Sequence, residues 1–319
     1  MSILDQAGWT PEAHTLVEDL LAGPSGLAVF DFDNTLIRND LGEAVMYYIL
    51  FQALLRADLP QFWDELRHPA IADEAIDRLR QIWRSVEAQG TDENEDVYLG
   101  FVDGIAPLYG KVYKHSGMGE AYRWSRILFG FQSEKELQSI SRYVLDYECN
   151  QPLGQSELPS GLTLPRGIRV YAEVRALLKE LLVRDWDVRI VTASPEAIIA
   201  AVSQRWGIAP EKVHGMQLAK GPVTGPDGET QELLLPEIIE PMTVQQGKVD
   251  RLLAETDQPL RFMIGDSIGD SELLQLAERA VLIDRGDADL AAKARAAGLP
   301  VQSPFPVPEA PPPDSAYFI

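Results

Sequence analysis

The sequence predicts an α/β protein: a Rossmann-like parallel sheet with an inserted all-helical unit. Short apolar segments that suit buried parallel strands occur before and after a long insert, and after it they alternate with helical segments. Polar residues able to do chemistry follow several of these segments directly. Residues 41–150 instead have helical periodicity, many aromatic side chains and little strand content. Alternating strands and helices are typical of a parallel sheet with helices on both faces.

The individual elements follow from local signals. A helix is predicted over 10–22, since Thr10 can be its N-cap and Pro11 suits its first position. Residues 27–30 are a short apolar run after a Gly-Pro-Ser-Gly turn, as expected of a buried strand, which puts Asp31 at the strand's C-terminal end. The later elements are predicted as helix 171–184, strand 187–191, a helix from Pro195 with Ser194 as N-cap, a strand near 212–219, a β-hairpin around the turn 225–228, helix 246–256, strand 262–265, helix 270–279 and strand 281–284.

The pattern predicts two structural units that alternate along the chain. Residues 1–40 are the first part of the sheet-containing core, 41–160 a helical cap, and 161–304 the second part of the core. Gly, Pro and Ser recur in 151–167, which we interpret as the connection back to the core. The Pro-rich tail, 305–319, is expected to be extended or disordered rather than catalytic.

Composition excludes several classes of function. The 319 residues carry 28 basic and 49 acidic side chains, a formal charge of −21, which opposes binding to nucleic acid or to anionic membranes. Cys149 is the single cysteine, so neither an intrachain disulfide nor a zinc site built on several thiolates can form. We find no secretory signal pattern and no long apolar span, and expect a soluble, cytoplasmic protein with a small-molecule partner. Its oligomeric state stays open.

Candidate catalytic residues stand where predicted strands end, which is where open α/β sheets bind ligands. Carboxylates, a hydroxyl and a lysine at such positions suit phosphoryl transfer. This reaction needs a nucleophile, a divalent cation, donors to the phosphoryl oxygens and a proton source. Two Asp residues at i and i+2 can address one cavity, with Asp31 attacking phosphorus while Asp33 protonates the leaving oxygen and later takes a proton from water. The candidate set is Asp31, Asp33, Thr192, Lys248, Asp266 and Asp270.

The phosphoryl group also needs donors. Thr192 offers a hydroxyl and Lys248 a positive charge, and Ala193 is assigned to substrate binding because backbone N–H groups at a helix start add further donors. Lys220 is the rival of Lys248, but it precedes the predicted hairpin and lies further from the last acidic motif. Asp270 is expected to pair with Lys248 or to order a metal-bound water.

The order of these motifs resembles that of the haloacid dehalogenase superfamily. Its first motif matches DFDNT at 31–35, its second the Thr closing RIVT at 189–192, its third Lys248, and its fourth GDSIGD at 265–270. The resemblance implies a Mg²⁺-dependent phosphatase with an aspartyl-phosphate intermediate. It implies as metal ligands the carboxylates of Asp31 and Asp266 and the backbone carbonyl of Asp33. A carboxylate-rich, oxygen-only site suits Mg²⁺.

Two branches of the superfamily are nearest. Phosphoserine phosphatases usually have Gly-Asp-Gly-x-Asn-Asp and Ser-Gly-Gly where this chain has GDSIGD and TAS, which argues against phosphoserine as substrate. The segment PMTVQQGKVDRL and the helical insert look more like phosphocholine phosphatases. In the phosphoserine enzymes an acidic residue at the Asp40 position contacts the substrate amine, so Asp40 or Glu43 is a candidate for binding a cationic head group. The cap's Trp and Tyr side chains either contribute to that cation site or simply fill the cap's core.

Four alternative functions differ in the residues that they require. A dehalogenase needs neither Asp33 nor a metal, and a receiver domain carries its acidic pair on an earlier strand. A phosphotransferase uses the same residues as a phosphatase and is the enzymatic alternative. A sensor of phosphorylated metabolites is the non-enzymatic one, although loss of Asp31 or Asp33 would then be expected. The histidines lack metal-ligand spacing, and we predict that they are surface residues without a role.

Overall fold

Residues 8–89 and 95–311, which the computed structural model describes, form a seven-stranded sheet, two small two-stranded sheets and many helices. The strands are β1 (Leu27–Phe30), β2 (Ile37–Arg38), β3 (Gly154–Glu157), β4 (Thr163–Arg166), β5 (Arg169–Val170), β6 (Asp187–Pro195), β7 (Val213–Thr224), β8 (Thr230–Ile239), β9 (Leu260–Gly265), β10 (Arg279–Ile283) and β11 (Val301–Gln302). The helices are α1 (Pro11–Ala22), α2 (Leu41–Phe51), α3 (Pro60–Glu65), α4 (Asp73–Gln89), α5 (Glu95–Ser116), α6 (Met118–Phe129), α7 (Glu134–Cys149), α8 (Ala172–Val183), α9 (Glu196–Ala200), α10 (Gln246–Glu255), α11 (Ser271–Leu276) and α12 (Ala288–Ala296). Short 3-10 helices lie at Ser203–Trp206, Pro210–Lys212 and Ile268–Asp270.

The large sheet has the strand order β11-β10-β9-β1-β6-β7-β8, and its pairs are parallel except for the β7–β8 hairpin. Phe30 at the end of β1 is in register with Ile190 of β6 and Ile264 of β9. The residues that follow these strands therefore meet at one edge of the sheet. The predicted fold class, a mainly parallel α/β sheet, is confirmed.

Strand β1 is buried on both faces of the sheet. Ala28 and Phe30 belong to the larger hydrophobic cluster, whereas Leu27 and Val29 belong to the smaller one. This alternation is the period of two expected along a strand. Helices must cover both faces, as is usual for parallel sheets.

The segment between β2 and β3 is helical in its described part. Its tryptophans are buried: Trp63 donates to the carbonyl of Ala57 at 2.8 Å and Trp124 to that of Leu66 at 3.1 Å, and Trp83 packs against Phe101. These side chains fill the interior of the helical segment. The division of the chain into a core and a cap stays a prediction.

The two connections to this helical segment run side by side. Strand β2 pairs antiparallel with β5, with Ile37 opposite Val170 and Arg38 opposite Arg169. Residues 151–167, predicted only as a connection, contain the antiparallel pair β3–β4. Both connections therefore pass close to the loop that follows β1.

Three predicted details of the second half differ from the structure. Strand β6 continues to Pro195, which itself stands at the N-cap of α9, so Ser194 is not a helix cap. Helix α11 ends at Leu276 rather than 279. Beyond the predicted last strand the chain adds α12 and β11, and β11 extends the sheet beside β10.

The described part of the tail is extended and packed on the protein. Phe305 is buried, with its ring 4.8 Å from that of Trp9. The buried guanidinium of Arg169 donates to the carbonyls of Pro308 and Glu309 at 3.1 and 2.7 Å. Residues 312–319 of the predicted tail lie outside the described residues. Within the described residues, no helix combines the length and the apolar character needed to cross a membrane.

Two histidines predicted to be surface residues, His14 and His214, are buried. Burial lowers the pKa of His214 to about 4 from its usual value of 6.5. Between about pH 6.5 and about pH 4, His214 is protonated in the unfolded chain but neutral in the folded protein. The contribution of His214 to the free energy of unfolding is therefore fully present above about pH 6.5 and is lost as the pH falls toward about 4.

The wild type is expected to lose unfolding free energy as the pH falls from about 6.5 to about 4. In His214→Gln this loss should be smaller by about 1–3 kcal/mol, because glutamine takes up no proton. Urea titrations of both proteins across this window measure the effect. The exposed His115, changed to glutamine, is the matched control. An unchanged slope for His214→Gln would show that His214 titrates normally in the folded protein.

Candidate active site

A cavity of about 50 Å³ lies at the C-terminal ends of β1, β6 and β9. Its walls come from the loops after these strands, from α6 and α10, and from the turn after β10. The lining residues are Asp31, Asp33, Asn34, Asp40, Met118, Tyr122, Thr192, Ala193, Ser194, Lys248, Asp266, Ser267, Gly269 and Arg285. The structure thus brings together every candidate residue except Asp270, which lies directly behind the cavity, and Glu43, which lines neighbouring ones.

Lys248 is buried between two carboxylates. Its Nζ donates to Oδ1 of Asp31 at 2.9 Å and to Oδ1 of Asp270 at 2.6 Å. Burial disfavours its charge, but Asp270 and Asp31 outweigh burial and raise the pKa of Lys248. Asp270 Oδ2 accepts from the hydroxyl of Ser267 at 2.9 Å, so it also orders the loop after β9. A fixed positive charge therefore lies against Asp31. The rival Lys220 is exposed, pairs with Glu134 at 2.6 Å and does not line the cavity.

Asp33 lies in a setting that favours its protonated form. Burial and the charge of Asp40 raise its pKa well above the usual value, although hydrogen bonds that it accepts act in the opposite direction. These come from the Ser194 hydroxyl at 2.6 Å and the Leu41 N–H at 2.7 Å. The bonds fix both carboxyl oxygens in place. A carboxyl group whose protonated form is favoured can serve as a general acid.

Asp31, Asp266 and Asp270 form a compact acidic group, in which one oxygen of each lies within 4.8 Å of the others. Burial, then the charge of Asp270, raises the pKa of both Asp31 and Asp266. Asp266 accepts from Thr35 Oγ1 at 3.3 Å and from Arg285 Nη1 at 2.9 Å. An oxygen-only group of crowded, buried carboxylates is the donor set that fits Mg²⁺, because a divalent cation removes their repulsion.

Asp40 and Glu43 lie at the start of α2. Asp40 is the N-cap and accepts from the Glu43 N–H at 2.7 Å, so part of its role is to begin the helix. Glu43 lines a small apolar cavity next to the first, together with Asp40, Tyr109 and Tyr122. Burial raises the pKa of Asp40 to about 6, and burial followed by the charge of Asp40 raises that of Glu43 to about 8. The neutral forms of these two acids are thus favoured while no cation is bound, and a cation beside them and the tyrosine rings would favour their ionised forms.

Sequence reasoning missed two features of the site and left a third open. Ser194 was interpreted as a helix cap, whereas its hydroxyl holds Asp33. Arg285 follows the last predicted strand directly. The rule that ligand-binding residues stand at the ends of parallel strands could have identified it. The aromatic rings beside the acidic residues belong to Tyr109 and Tyr122, and the tryptophans line none of the cavities described above.

No protein-family model matches the chain, and neither does any curated protein. Solved structures do match. A conserved functionally unknown protein from Anaerococcus prevotii DSM 20548 has a TM-score of 0.76 and 20% identity over 94% of each chain. A protein with unknown function from Bordetella pertussis Tohama I has a TM-score of 0.53 and 16% identity over 89% of this chain and 100% of that chain. Both likenesses concern the fold alone.

A phosphoserine phosphohydrolase-like protein from Francisella tularensis subsp. tularensis SCHU S4 matches at a TM-score of 0.41, with 12% identity over 84% of this chain and 92% of that chain, too weak a likeness to carry an argument. The parallel sheet places the DFDNT, Thr192, Lys248 and GDSIGD motifs around one cavity. This is the arrangement that the resemblance of these motifs to the haloacid dehalogenase superfamily implies.

Proposed function

We propose that the chain is a Mg²⁺-dependent phosphomonoester hydrolase that forms an aspartyl phosphate on Asp31. The observation that carries this proposal is the buried contact of Lys248 with Asp31, in a cavity that also holds a second carboxyl group, Asp33, with a raised pKa. A nucleophile, a proton donor and a fixed cation are the groups that phosphoryl transfer to a side chain requires.

In the first step a carboxylate oxygen of Asp31 attacks phosphorus. The new O–P bond forms as the bond from phosphorus to the ester oxygen breaks, and Asp33 gives its proton to that leaving oxygen. The raised pKa of Asp33 supports this role, since it favours the protonated form that a general acid needs. The products are an alcohol and phosphorylated Asp31.

In the second step water attacks the phosphoryl group. Asp33, now a carboxylate, takes a proton from the water, the O–P bond to Asp31 breaks, and inorganic phosphate leaves. Ser194 and the Leu41 N–H donate hydrogen bonds to Asp33, and these bonds favour the ionised form that acts in this step. The carboxylate of Asp31 and the proton of Asp33 are thereby restored.

The surrounding residues supply charge stabilisation. Thr192 and Lys248 line the cavity and can donate to the phosphoryl oxygens, as can the backbone N–H of Ala193. Asp31, Asp266 and the Asp33 carbonyl are the groups that would hold Mg²⁺, and Asp270 would keep Lys248 in place. When bound, Mg²⁺ offsets negative charge on the phosphoryl oxygens.

The helical segment has a further role in the proposal. Met118 and Tyr122 of α6 form part of the cavity wall, although the nucleophile lies on the sheet. Movement of this segment about the β2–β5 connections would close the cavity over substrate. Closure would exclude bulk water from the phosphoenzyme until the intended water attacks.

The substrate class follows from the acidic residues beside the cavity. An ester whose leaving group carries an amine or quaternary ammonium would place its cation next to Asp40 and Glu43, against the rings of Tyr109 and Tyr122. No described residue forms an ion pair with Glu43. A cationic substrate would supply the missing partner.

Glu43→Gln is expected to lower kcat/KM for phosphocholine or phosphoethanolamine by about 10-fold to 100-fold, because a charge-assisted contact in a partly buried site is lost. The value for p-nitrophenyl phosphate should change less than about threefold, since that ester has no cation. Asp40→Asn, which keeps the helix cap, should show the same selectivity. An equal loss with all three esters would contradict the cation site while leaving the phosphatase proposal intact.

Release of inorganic phosphate from a panel of phosphomonoesters, with Mg²⁺ or with EDTA, tests the function. Release that requires Mg²⁺ supports the hydrolase. Transfer of the phosphoryl group to an added alcohol, found in the products, would indicate the phosphotransferase instead. Tight binding of an ester without any turnover would indicate the sensor.

A further inference from the structure

Arg285 is a cavity residue to which the proposed mechanism gives no role. It stands in the turn after β10, and its Nη1 lies 2.9 Å from Asp266 Oδ2. The side chain of Asp266 is 3% exposed, whereas that of Arg285 is 51% exposed. A solvent-facing guanidinium therefore reaches inward to a buried carboxylate.

The two cations among the described cavity residues are held very differently. Lys248 is buried and bonded to two carboxylates, Asp31 and Asp270. Within residues 8–89 and 95–311 Arg285 has one ion pair, with Asp266. The rest of its side chain borders a wider cavity of about 430 Å³ at the mouth of the site. Lys248 is therefore a fixed charge, while Arg285 is free to turn outward.

The position of Arg285 conflicts with a metal on Asp266. Asp266 Oδ1 already accepts from Thr35, and Oδ2 accepts from Arg285. A divalent cation ligated by Asp266 would lie within a few ångströms of the guanidinium, and two such positive charges repel strongly in a buried site. Metal and Arg285 therefore compete for this carboxylate.

We propose that Arg285 is a counterion that the divalent metal displaces from Asp266. In the metal-free protein it offsets part of the repulsion among Asp31, Asp266 and Asp270. On metal binding it turns toward the mouth of the cavity, where Asp40 and Asp287 also lie. This inference rests on the metal site of the proposed function.

Calorimetric titration with Mg²⁺ of the wild type, Arg285→Gln and Arg38→Gln tests the proposal. Arg285→Gln should bind Mg²⁺ about fivefold more tightly, because no partly exposed ion pair has to break first. Arg38, an exposed arginine in the β2 connection with no side-chain ion pair among the described residues, controls for simple loss of a positive charge. Its variant should stay within about twofold of the wild type.

Thermal unfolding gives a second readout that does not depend on activity. Without metal, Arg285→Gln should unfold at a lower temperature than the wild type. Saturating Mg²⁺ should reduce this difference, because the variant that binds Mg²⁺ more tightly is stabilised more by it. Equal or weaker Mg²⁺ binding by Arg285→Gln, or a stability difference that Mg²⁺ leaves unchanged, would overturn the role of Arg285 alone. If none of the three proteins binds Mg²⁺, the proposed metal site is contradicted as well.

Discussion

Replacing Asp31 with asparagine is expected to reduce phosphate release by about 10⁴-fold or more while the protein stays folded. The amide oxygen is a poor nucleophile, and removal of a covalent catalyst is among the largest single losses an enzyme shows. Asparagine has the size of aspartate, and burial already opposes the charge at this position. Steady-state phosphate release with p-nitrophenyl phosphate and Mg²⁺, together with the urea midpoint, measures both effects.

Asp289, an exposed residue of α12, provides the matched control. Asp289→Asn changes the same functional group on the surface and should leave both measurements at the wild-type values. Activity of Asp31→Asn within about tenfold of the wild type would mean that Asp31 is not the nucleophile.

Lys248→Met is expected to lower both activity and stability. Methionine keeps the length of the side chain but removes the charge that lies 2.9 Å from Asp31 and 2.6 Å from Asp270. Breaking a buried ion pair by removing one partner costs about 3–5 kcal/mol, because the remaining carboxylates are uncompensated. Loss of a donor to the phosphoryl group should lower kcat by a further factor of about 10²–10³.

Lys220→Met is the control for this change. Lys220 is exposed and pairs with Glu134 outside the cavity, so its loss should change the free energy of unfolding by less than about 0.5 kcal/mol and leave kcat unaltered. Urea unfolding and phosphate release, measured on the two variants side by side, separate the cases. Equal effects from both substitutions would show that Lys248 has no special role.

The parts of the site that are local in sequence could be predicted from it. An apolar run ending in Asp31, another ending at Thr192 and a third before Asp266 identify buried strands with polar ends. Parallel pairing then brings those ends together, because all three strands point the same way. The catalytic residues of the cavity could therefore be predicted because the C-terminal ends of parallel strands meet at one edge of the sheet.

The parts that depend on distant packing could not be predicted. Ser194 has the usual type and position of a helix cap, and only the approach of Asp33, 161 positions away in the chain, gives its hydroxyl another partner. The Pro-rich tail has the composition of a disordered segment, yet Phe305 packs against Trp9 and Arg169 binds the backbone of Pro308. Such contacts are decided by tertiary structure.

The aromatic residues of the helical segment show the same limit. Helical periodicity indicates that Trp124 and Tyr122 are packed against other residues. It does not indicate which of the two side chains lines the cavity. In the structure Trp124 donates to the Leu66 carbonyl inside the segment, whereas Tyr122 lines the cavity. Neighbouring positions on one helix therefore face the segment's core and the substrate.

The most direct test of the central claim is to trap the phosphorylated enzyme. Wild-type protein is mixed with excess phosphomonoester and Mg²⁺, quenched with acid within the first turnover, and its peptides are mapped by mass spectrometry. Our account predicts one phosphoryl group on the peptide containing Asp31, absent when EDTA replaces Mg²⁺ and absent from Asp31→Asn. Phosphate release from a protein that never carries phosphate on that peptide, or that carries it on another residue, would contradict the account.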